Sequence, residues 1–408
     1  MVYRILRVFF VPIFYLVMLF GGKRAEFLKK RLIQDFSYLK DEEYIWVHCS
    51  SVGEINLSEI LIKKLLKNRK ERILLTLFTD TGITVARDKF KKEERVDIFY
   101  FPLDDKKNIE KILSKIRLNY LILVETEIWP NLIELSSKAA KVIMVNGRIS
   151  DRSFKRYLKI RFLLKDIFKN ISAFYMQSSI DSQRIMELGA EPDKVETLGN
   201  LKFDIEFQNY SEEEKKELRE FLNIGNKKIF TAGSSRSGEY ETLLNVFSKM
   251  KNTVLILVPR HIERTPEIEK LIKEFGYSSI RYSKIDGKNS EKADILIVDT
   301  IGILRKIYSI SDIAFVGGTL VNIGGHSLLE PLFYKKTPIF GPYLQNVKEI
   351  SKDILDNNLG YKVKNVDEFL CAIEAVNKNQ EKSTKLIEQL FEKNKGTADK
   401  IIEKLNKK

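Results

Sequence analysis

Short apolar runs alternate with amphipathic helical patterns along most of the chain, and this alternation constrains the fold more than any other feature of the sequence. Helices of this length between strands indicate parallel βαβ units. The predicted fold class is therefore α/β, with two Rossmann-like, doubly wound domains. The predicted strands are residues 44–48, 72–79, 97–101, 120–125, 141–146 and 172–177 and, after a polar and acidic stretch, 228–233, 253–259, 294–299, 312–317 and 337–341.

A chain of 408 residues is too long for one ordinary core and fits two domains. We place the domain boundary near Gln208, where the acidic stretch interrupts the strand pattern. The N-terminal domain then spans residues 23–208, the C-terminal domain residues 209–379, and a long charged helix at residues 380–408 closes the chain. In doubly wound domains, ligands bind beyond the carboxyl ends of the strands, so functional residues are expected there.

The extreme N-terminus has the pattern of a membrane anchor. Residues 8–22 carry no charge and are bracketed by arginines before the run and by Lys23 and Arg24 after it. This pattern predicts an anchor over residues 1–22, either as a short span or as a monotopic insertion. A cleaved signal peptide is disfavoured because no small-x-small cleavage site follows. The basic residues after the run favour keeping the downstream domains in the cytosol.

The charge and the cysteines narrow the possible partners. A net charge of +14 indicates an anionic partner, and nucleic acid, acidic lipid and a phosphorylated substrate all qualify. Cys49 and Cys371 form neither a disulfide framework nor a metal-type cluster, and no other residues have metal-ligand spacing, so no metal is predicted. The chain has neither a G-x-G-x-x-G after its first strand nor a Walker-type lysine, which argues against Rossmann cofactors and P-loop nucleotides.

The first predicted strand runs into the sequence HCSSVGE at residues 48–54. A turn containing glycine begins a helix there, with Glu54 in the first helical turn. A helix N-terminus stabilises an ionised carboxylate, so Glu54 is expected to be a ready but mild proton acceptor at neutral pH. A carboxylate that merely complements the helix dipole is the alternative, and this pattern alone does not separate the two.

Two carboxylates, Glu125 and Glu127, follow the fourth strand, and side chains two apart on a strand share a face. They could steer a substrate hydroxyl, raise each other's pKa, or cap the helix whose start is marked by Pro130. Arg148 closes the next strand, where its guanidinium could hold a substrate phosphate bidentately or pair with a carboxylate.

Three loops in the C-terminal half combine small residues or basic side chains with the end of a strand. Small residues allow backbone amides to approach a phosphate. The loops are AGSSRSGE at residues 232–239, PRH at residues 259–261 and a glycine-rich segment at residues 317–331. All three histidines of the chain end a strand or lie in the loop after one, which favours a role at the ligand-binding edges. These histidines are His48, His261 and His326.

In these motifs the chain resembles, over essentially its whole length, the bacterial 3-deoxy-D-manno-octulosonic acid (Kdo) transferases of lipid A and lipopolysaccharide core biosynthesis. The motifs occur in the family's order: HCSSVGE at 48–54, ETEIWPN at 125–131, NGRIS at 146–150, GNLKFD at 199–204, PRH at 259–261, the segment 315–331, and FGP at 340–342. The resemblance implies a GT-B fold with two domains facing a cleft. It also implies inverting transfer of Kdo from CMP-Kdo to a lipid A precursor of the lipid IVA type, at the cytoplasmic side of the inner membrane, without metal or cofactor.

The resemblance further implies roles for individual residues. Glu54 would be the general base, and Glu127 and Glu125 would serve acceptor or catalytic geometry. The acceptor would be bound by His48, Ser51, Gly53 and Arg148. The donor CMP-Kdo would be held by Ser234, Arg236, Pro259, Arg260, His261, Gly302, Ile303, Leu304, Gly318, Thr319, Gly325, His326, Ser327, Leu328, Leu329 and Glu330.

Two places depart from the family pattern. Ser327-Leu328 stands where the family usually has Asn-Pro, and Ile303 stands where an acidic residue is common. Backbone contacts could survive both changes.

Two other functions remain open from the sequence. A different GT-B enzyme that uses a UDP-sugar fits the fold and the glycine loops but not the ETEIWPN and GNLKFD motifs. A basic, membrane-tethered nucleic-acid-binding protein fits the charge but lacks any recognisable binding module.

Overall fold

The computed structural model describes Met18 and residues 21–205, 207–285 and 293–407. The chain divides into two compact units. The first unit ends at Ile205 and is completed by Lys393–Lys408, and the second unit is Glu206–Glu392. The sequence does not predict this return of the last residues to the first unit.

The predicted membrane anchor at residues 1–22 lies outside the described residues, apart from Met18 and its last two glycines. Within the described part of the chain, no helix is long and apolar enough to cross a membrane. The anchor therefore stays a prediction.

The first unit contains a parallel sheet of seven strands in the order β3-β2-β1-β4-β5-β6-β7. Its strands are β1 (Glu43–Cys49), β2 (Arg72–Leu77), β3 (Val96–Tyr100), β4 (Arg117–Val124), β5 (Lys141–Gly147), β6 (Ala173–Met176) and β7 (Val195–Thr197). Every residue of β1 after Glu43 is buried, as is typical of a central strand covered on both faces. From β1 the chain proceeds to β2 and β3 on one side, and it then returns to β4 on the other side of β1. The carboxyl ends of β1 and β4 therefore border the topological switch point.

Helices cover both faces of this sheet. They are α1 (Gly22–Leu32), α2 (Val52–Asn68), α3 (Asp80–Lys89), α4 (Lys106–Leu113), α5 (Pro130–Ser136), α6 (Asp151–Leu158), α7 (Arg161–Phe168) and α8 (Ser179–Glu187). One apolar cluster joins Trp46 to buried residues of α4, α5 and α7, and a second joins Ile45 on the opposite face to α2 and α3. Alternate residues of β1 thus point into two separate cores.

The second unit repeats this plan with strands in the order β10-β11-β9-β8-β12-β13-β14. Its strands are β8 (Lys228–Ser235), β9 (Thr253–Pro259), β10 (Ser279–Arg281), β11 (Ile295–Ile297), β12 (Ile313–Val316), β13 (Pro338–Phe340) and β14 (Tyr361–Lys362). Its helices are α9 (Glu212–Phe221), α10 (Tyr240–Phe247), α11 (Thr265–Glu274), α12 (Leu304–Ile310), α13 (Leu329–Phe333), α14 (Lys348–Asp356) and α15 (Val366–Asn394). Since β8 lies between β9 and β12, the carboxyl ends of β8 and β12 border the second switch point.

All eleven predicted strands are confirmed, and both sheets are parallel as expected. The strands that the sequence does not reveal are β7, β10 and β14, each of three residues or fewer. A strand this short shows no alternation, because hydrophobic periodicity needs several residues to appear.

The single closing helix predicted at residues 380–408 is wrong: the structure has two helices there, α15 and α16 (Thr397–Asn406). The chain breaks at Gly396, whose φ of 67° is a left-handed conformation that glycine adopts without strain. Buried residues of α16 join the apolar cluster that contains α2. The last helix therefore completes the core of the first unit.

The GNLKFD motif, residues 199–204, holds this returning segment. The buried carboxylate of Asp204 accepts hydrogen bonds from the amides of Gly396 and Ala398, at 2.9 and 2.6 Å. Gly199 has a φ of 111°, and a Cβ atom there would lie 2.7 Å from the hydroxyl oxygen of Thr397. The motif thus has a structural role in the first unit, namely docking the start of α16.

Candidate active site

The switch point of the first unit brings together two of the predicted motifs, HCSSVGE after β1 and ETE at residues 125–127 after β4. Ser51 is the N-cap of α2, and its hydroxyl accepts the amide of Glu54. The Glu54 carboxylate in turn accepts the amide of Ser50 at 2.6 Å and the hydroxyl of Ser51 at 3.0 Å. These reciprocal bonds hold the carboxylate at the start of the helix. Gly53 lies in the same first turn.

Glu54 is 7% exposed, and its surroundings reverse the ionisation expected from the sequence. Burial raises the pKa of Glu54 to about 8, and the charges of Glu127 and Glu125 add to this rise. The hydrogen bonds from Ser50 and Ser51 lower the pKa but do not compensate. The expectation that the helix N-terminus keeps Glu54 ionised at neutral pH is therefore wrong, because desolvation and neighbouring carboxylates outweigh the local dipole.

The argument that Glu125 and Glu127 share a strand face is also wrong. Strand β4 ends at Val124, and Glu125 has a φ of 60°, so the backbone leaves the extended conformation there. Glu127 accepts a hydrogen bond from Trp129 Nε1 at 2.8 Å. Pro130 begins α5, as predicted. The N-cap of α5 is Trp129, whose side chain does not cap the helix, and the carboxylate of Asp104 accepts the amides of Asn131 and Leu132 instead.

His48 lies next to this acidic group but has no exposed surface. Its Nδ1 is 3.0 Å from Thr76 Oγ1, and its Nε2 is 3.6 Å from Glu127 Oε2. A side chain with no exposed surface does not present a group to a bound acceptor in this structure. The predicted contact of His48 with the acceptor is thus at odds with its burial, because the imidazole is covered by Phe101 and Trp129.

The end of β5 contributes Arg148 and Asn146 to the same edge. Thr126 binds the backbone of Arg148 through its hydroxyl, which ties residues 125–127 to the turn after β5. Asn146 is 1% exposed and has a φ of 54°. Its Oδ1 accepts the amide of Leu201, but its Nδ2 has no hydrogen-bond partner among the described residues. A buried amide group without a partner is costly.

In the second unit, the switch point between β8 and β12 presents a guanidinium held by two imidazoles. Arg236 donates from Nε to His326 Nε2 at 3.3 Å, and its Nη1 lies 2.6 Å from His261 Nε2. Since arginine only donates, both Nε2 atoms are acceptors. Burial, together with the charge of Arg236, lowers the pKa of His326 to about 4. His326 is therefore neutral at physiological pH and orients Arg236.

Ser234, with a φ of 53°, and Ser235 bring the chain from β8 to Arg236. The hydroxyl of Ser235 is buried and has no hydrogen-bond partner in the described part of the structure. Pro259 ends β9 opposite Ser235, and the amide of Arg260 donates to the Ser235 carbonyl at 3.0 Å. The side chain of Arg260 is exposed at this edge. The predicted donor residues from β8 and β9 therefore meet at one place.

The amides of Gly318 and Thr319 are not free for a phosphate, contrary to the prediction. Both donate to Glu239, as do the amides of Leu320 and Arg236, at 2.8 to 3.0 Å. Burial raises the pKa of Glu239, and the four amide bonds oppose that rise. An internal carboxylate thus fills the position expected for an anionic ligand.

The other predicted donor residues have different surroundings. Gly302 has a φ of 94° and Ile303 is the N-cap of α12, while Leu304 packs in an apolar cluster. Gly325 donates its amide to the carbonyl of Gly318, which folds the glycine-rich segment back on itself. Ser327 is exposed, whereas Leu328 is completely buried and offers no side chain to a ligand. Leu329 and Glu330 begin α13, and Glu330 accepts from Arg305 Nε at 3.2 Å.

Five residues at these edges are not among the predicted site residues: Thr76, Trp129, Asn146, Ser235 and Glu239. Their surroundings include residues far away in the sequence, which no local pattern encodes. Glu239 has one local signal, its position three residues after Arg236, where a helix-start carboxylate can reach back to an amide. Within the described residues, no group of three or more His, Cys, Asp or Glu side chains could hold a metal ion.

One unit thus presents the buried carboxylate of Glu54 with two partly exposed carboxylates at its switch point, and the other presents an oriented arginine, Arg236, and an exposed arginine, Arg260. Proton acceptors for a hydroxyl and cations for a departing phosphate are the groups that glycosyl transfer from a nucleotide sugar needs. The fold and the two edges therefore define the class of two-unit α/β glycosyltransferases.

Comparisons with known proteins identify the family. A family model described as 3-deoxy-D-manno-octulosonic-acid transferase (kdotransferase) matches residues 23–205. The chain is 32% identical to the 3-deoxy-D-manno-octulosonic acid transferase of Haemophilus influenzae, over 88% of this chain and 86% of that protein. It is 34% identical to the enzyme of the same name from Aquifex aeolicus, over 80% of this chain and 84% of that protein. The chain belongs to the 3-deoxy-D-manno-octulosonic acid transferase family.

A third relative is longer than this chain. The bifunctional glycosyltransferase/methyltransferase of Fusobacterium nucleatum is 56% identical over 94% of this chain, which spans only 60% of that protein.

Two solved structures resemble parts or most of the fold. The C-terminal CMP-Kdo binding domain of WaaA from Acinetobacter baumannii matches 47% of this chain and 96% of that domain, with 24% identity and a TM-score of 0.39. The UDP-GlcNAc 2-epimerase of Neisseria meningitidis matches 89% of this chain and 99% of that protein, with 12% identity and a TM-score of 0.49.

Proposed function

We propose that the protein transfers Kdo from CMP-Kdo to a sugar hydroxyl of a lipid A precursor of the lipid IVA type, with inversion. The observation that carries the proposal is the buried carboxylate of Glu54 beside Glu127 at the switch point of the first unit. A proton acceptor with a pKa near the working pH is what attack by a sugar hydroxyl requires. The GT-B arrangement expected from the sequence is part of this proposal.

In the proposed reaction, the acceptor oxygen forms a bond to the anomeric carbon of Kdo while the bond from that carbon to the CMP phosphate oxygen breaks. The electron pair of the broken bond stays on the phosphate, and the hydroxyl proton passes to ionised Glu54. Arg236 and Arg260 stabilise the charge that develops on the departing phosphate. Attack from the face opposite the leaving group gives inversion.

Incubation of the purified protein with a lipid A precursor and CMP-Kdo, followed by mass spectrometry, tests the proposed function. We expect the precursor to gain the mass of Kdo, with EDTA present as well as absent, because no step is proposed to need a metal. Parallel reactions with UDP-sugars should give no product. Transfer from a UDP-sugar alone would instead establish the other kind of GT-B enzyme. Salt-sensitive binding to random DNA without affinity for CMP-Kdo would support the nucleic-acid alternative.

We also propose that residues 1–22 attach the protein to the cytoplasmic face of the inner membrane, because the apolar run is flanked by cationic residues. Deleting residues 1–22 is expected to release the protein from membranes while leaving its fold intact. Sedimentation with vesicles that contain anionic phospholipid measures the release, and circular dichroism checks the fold. Undiminished sedimentation of the shortened protein would contradict the anchor.

A further inference from the structure

His48, at the switch point of the first unit, is completely buried, and its Nε2 atom has no hydrogen-bond partner among the described residues. The Nε2 atom of His48 lies 3.6 Å from Glu127 Oε2, slightly beyond hydrogen-bonding distance. An unsatisfied polar atom in a buried position calls for a reason, because leaving it unpaired is unfavourable.

Thr76 and Glu127 together favour a proton on Nε2 of His48. The Thr76 hydroxyl oxygen accepts from Trp46 Nε1 at 2.9 Å and lies 3.0 Å from His48 Nδ1. A hydroxyl has one proton and two lone pairs, so it can donate to Nδ1 while it accepts from the indole. A proton on Nε2 faces the Glu127 carboxylate, whereas a lone pair on Nε2 would oppose it.

The ring has little freedom to turn away. It packs against Phe101 with centroids 4.3 Å apart, and Phe101 in turn contacts Trp129 at 4.7 Å. Trp129 also stacks on Phe78 and donates its Nε1 proton to the same Glu127 oxygen at 2.8 Å. Two N–H groups fixed by aromatic packing therefore converge on one carboxylate oxygen.

The charge of Glu127 acts on several neighbouring groups. It adds to the burial that raises the pKa of Glu54, of the Cys49 thiol and of Tyr157, which approaches from α6. Glu125 lies two residues before it and raises the pKa of Glu54 in the same way. The N–H of Trp129 holds the carboxylate of Glu127 beside these groups, and Nε2 of His48 lies next to the same oxygen.

We propose that His48 is a positioning residue, which fixes the orientation of the Glu127 carboxylate through its Nε2 proton and does not touch the substrate. The inference rests on the proposed function. The 3.6 Å separation closes to a hydrogen bond when substrate occupies the edge, as catalytic hydrogen bonds that are long in free enzymes commonly do.

The first arm of the test needs no activity. Long-range proton–nitrogen NMR of protein labelled in its three histidines is expected to show one histidine with Nε2 protonated and Nδ1 unprotonated, and His48→Gln should remove that signal. Assignment of the Nδ1–H tautomer to His48 would overturn the proposal, whether or not the wild-type protein transfers Kdo.

The second arm measures transfer kinetics. His48→Phe keeps the ring volume but removes the proton, and we expect kcat to fall about 10- to 100-fold, as for loss of a positioned catalytic group, with the KM for CMP-Kdo within about twofold of wild type. His48→Gln, whose amide can occupy the Nε2 position, should recover kcat to within about fivefold. Thermal unfolding of both variants separates kinetic effects from loss of fold.

The outcomes distinguish the two proposals. A wild-type protein that transfers no Kdo contradicts the proposed function, and the NMR arm still decides the orientation of His48. A folded His48→Phe variant with wild-type kcat contradicts the positioning role. Equal losses in folded His48→Phe and His48→Gln variants also contradict it, because a merely structural role would not depend on the proton.

Discussion

Replacing Glu54 with glutamine is expected to reduce transfer of Kdo by 100-fold or more, on the order of the loss expected for a general base. Glutamine keeps the size of the side chain and can still bind Ser51, but it accepts no proton. The amide oxygen of glutamine can accept the amide of Ser50, and its NH2 group can donate to the hydroxyl of Ser51. The rate of product formation at saturating CMP-Kdo measures the effect. Turnover close to wild type in this variant would remove Glu54 from the role of base.

The pH dependence of the wild-type enzyme provides an independent check on the same residue. Because burial and Glu127 raise the pKa of Glu54 to about 8, most of the free enzyme carries a protonated Glu54 at neutral pH. Only the ionised form accepts the hydroxyl proton. We therefore expect kcat/KM to increase with pH, with a midpoint near 8 and a plateau above it. A profile that is flat between pH 6 and 9 would contradict this assignment.

The stability of the protein should change with pH for the same reason. A carboxyl whose pKa is higher in the folded than in the unfolded state keeps its proton only when folded, so it contributes stability at low pH that disappears as the pH rises through about 8. The Glu54→Gln variant lacks this titration. Its melting temperature should therefore rise relative to wild type as the pH is raised from 5 to 9. A constant difference over this range would show that the two states have similar pKa values at Glu54.

Removing Arg236 is expected to have the second largest effect. Its guanidinium is oriented by acceptors on His326 and His261, and such a fixed cation suits a phosphate better than a mobile one. Arg236→Ala should lower kcat/KM for CMP-Kdo by about 100-fold, the scale of losing one charge-stabilising donor. Arg236→Lys should recover little, because an ammonium group cannot reproduce the planar donor arrangement.

A matched control for this prediction is Arg281→Ala. Arg281 also forms paired bonds, to Glu269 at 2.7 and 2.6 Å, but it lies in the edge strand β10. The Arg281→Ala variant should keep kcat/KM within about twofold of wild type, because partly exposed ion pairs contribute little to stability. Equal losses in the Arg236 and Arg281 variants would indicate a general effect of charge, and would contradict a specific role for Arg236.

The sequence predicts which residues lie at the strand ends, because strand ends follow from hydrophobic periodicity. The position of Glu54 after β1 and of Arg236 after β8 required only the alternation of strands and helices. The state of these groups could not be predicted in the same way. The pKa of Glu54 depends on Glu127, which comes from the end of β4, and the orientation of Arg236 depends on His326, which is 90 residues further along the chain.

The sequence also does not predict backbone conformation at single residues, or which amides are already bonded within the protein. Nothing in the residues around Glu125 reveals that its φ is 60°, so the strand-face argument fails at that residue. Likewise, the glycines before Thr319 indicate accessible amides, but only the fold shows that Glu239 takes them. A motif thus predicts which groups gather at an edge more reliably than it predicts which of them remain available.

The docking of α16 on the first unit bears on how the chain folds as it is made. The helix contributes to the apolar cluster around α2, and Asp204 binds the amides at the start of α16. Residues 397–406 must therefore be synthesised before the first unit, most of which is made earlier, can close its core. The second unit has no such wait for its sheet. Until α16 docks, the side of α2 that it covers is a surface that nascent-chain chaperones would recognise.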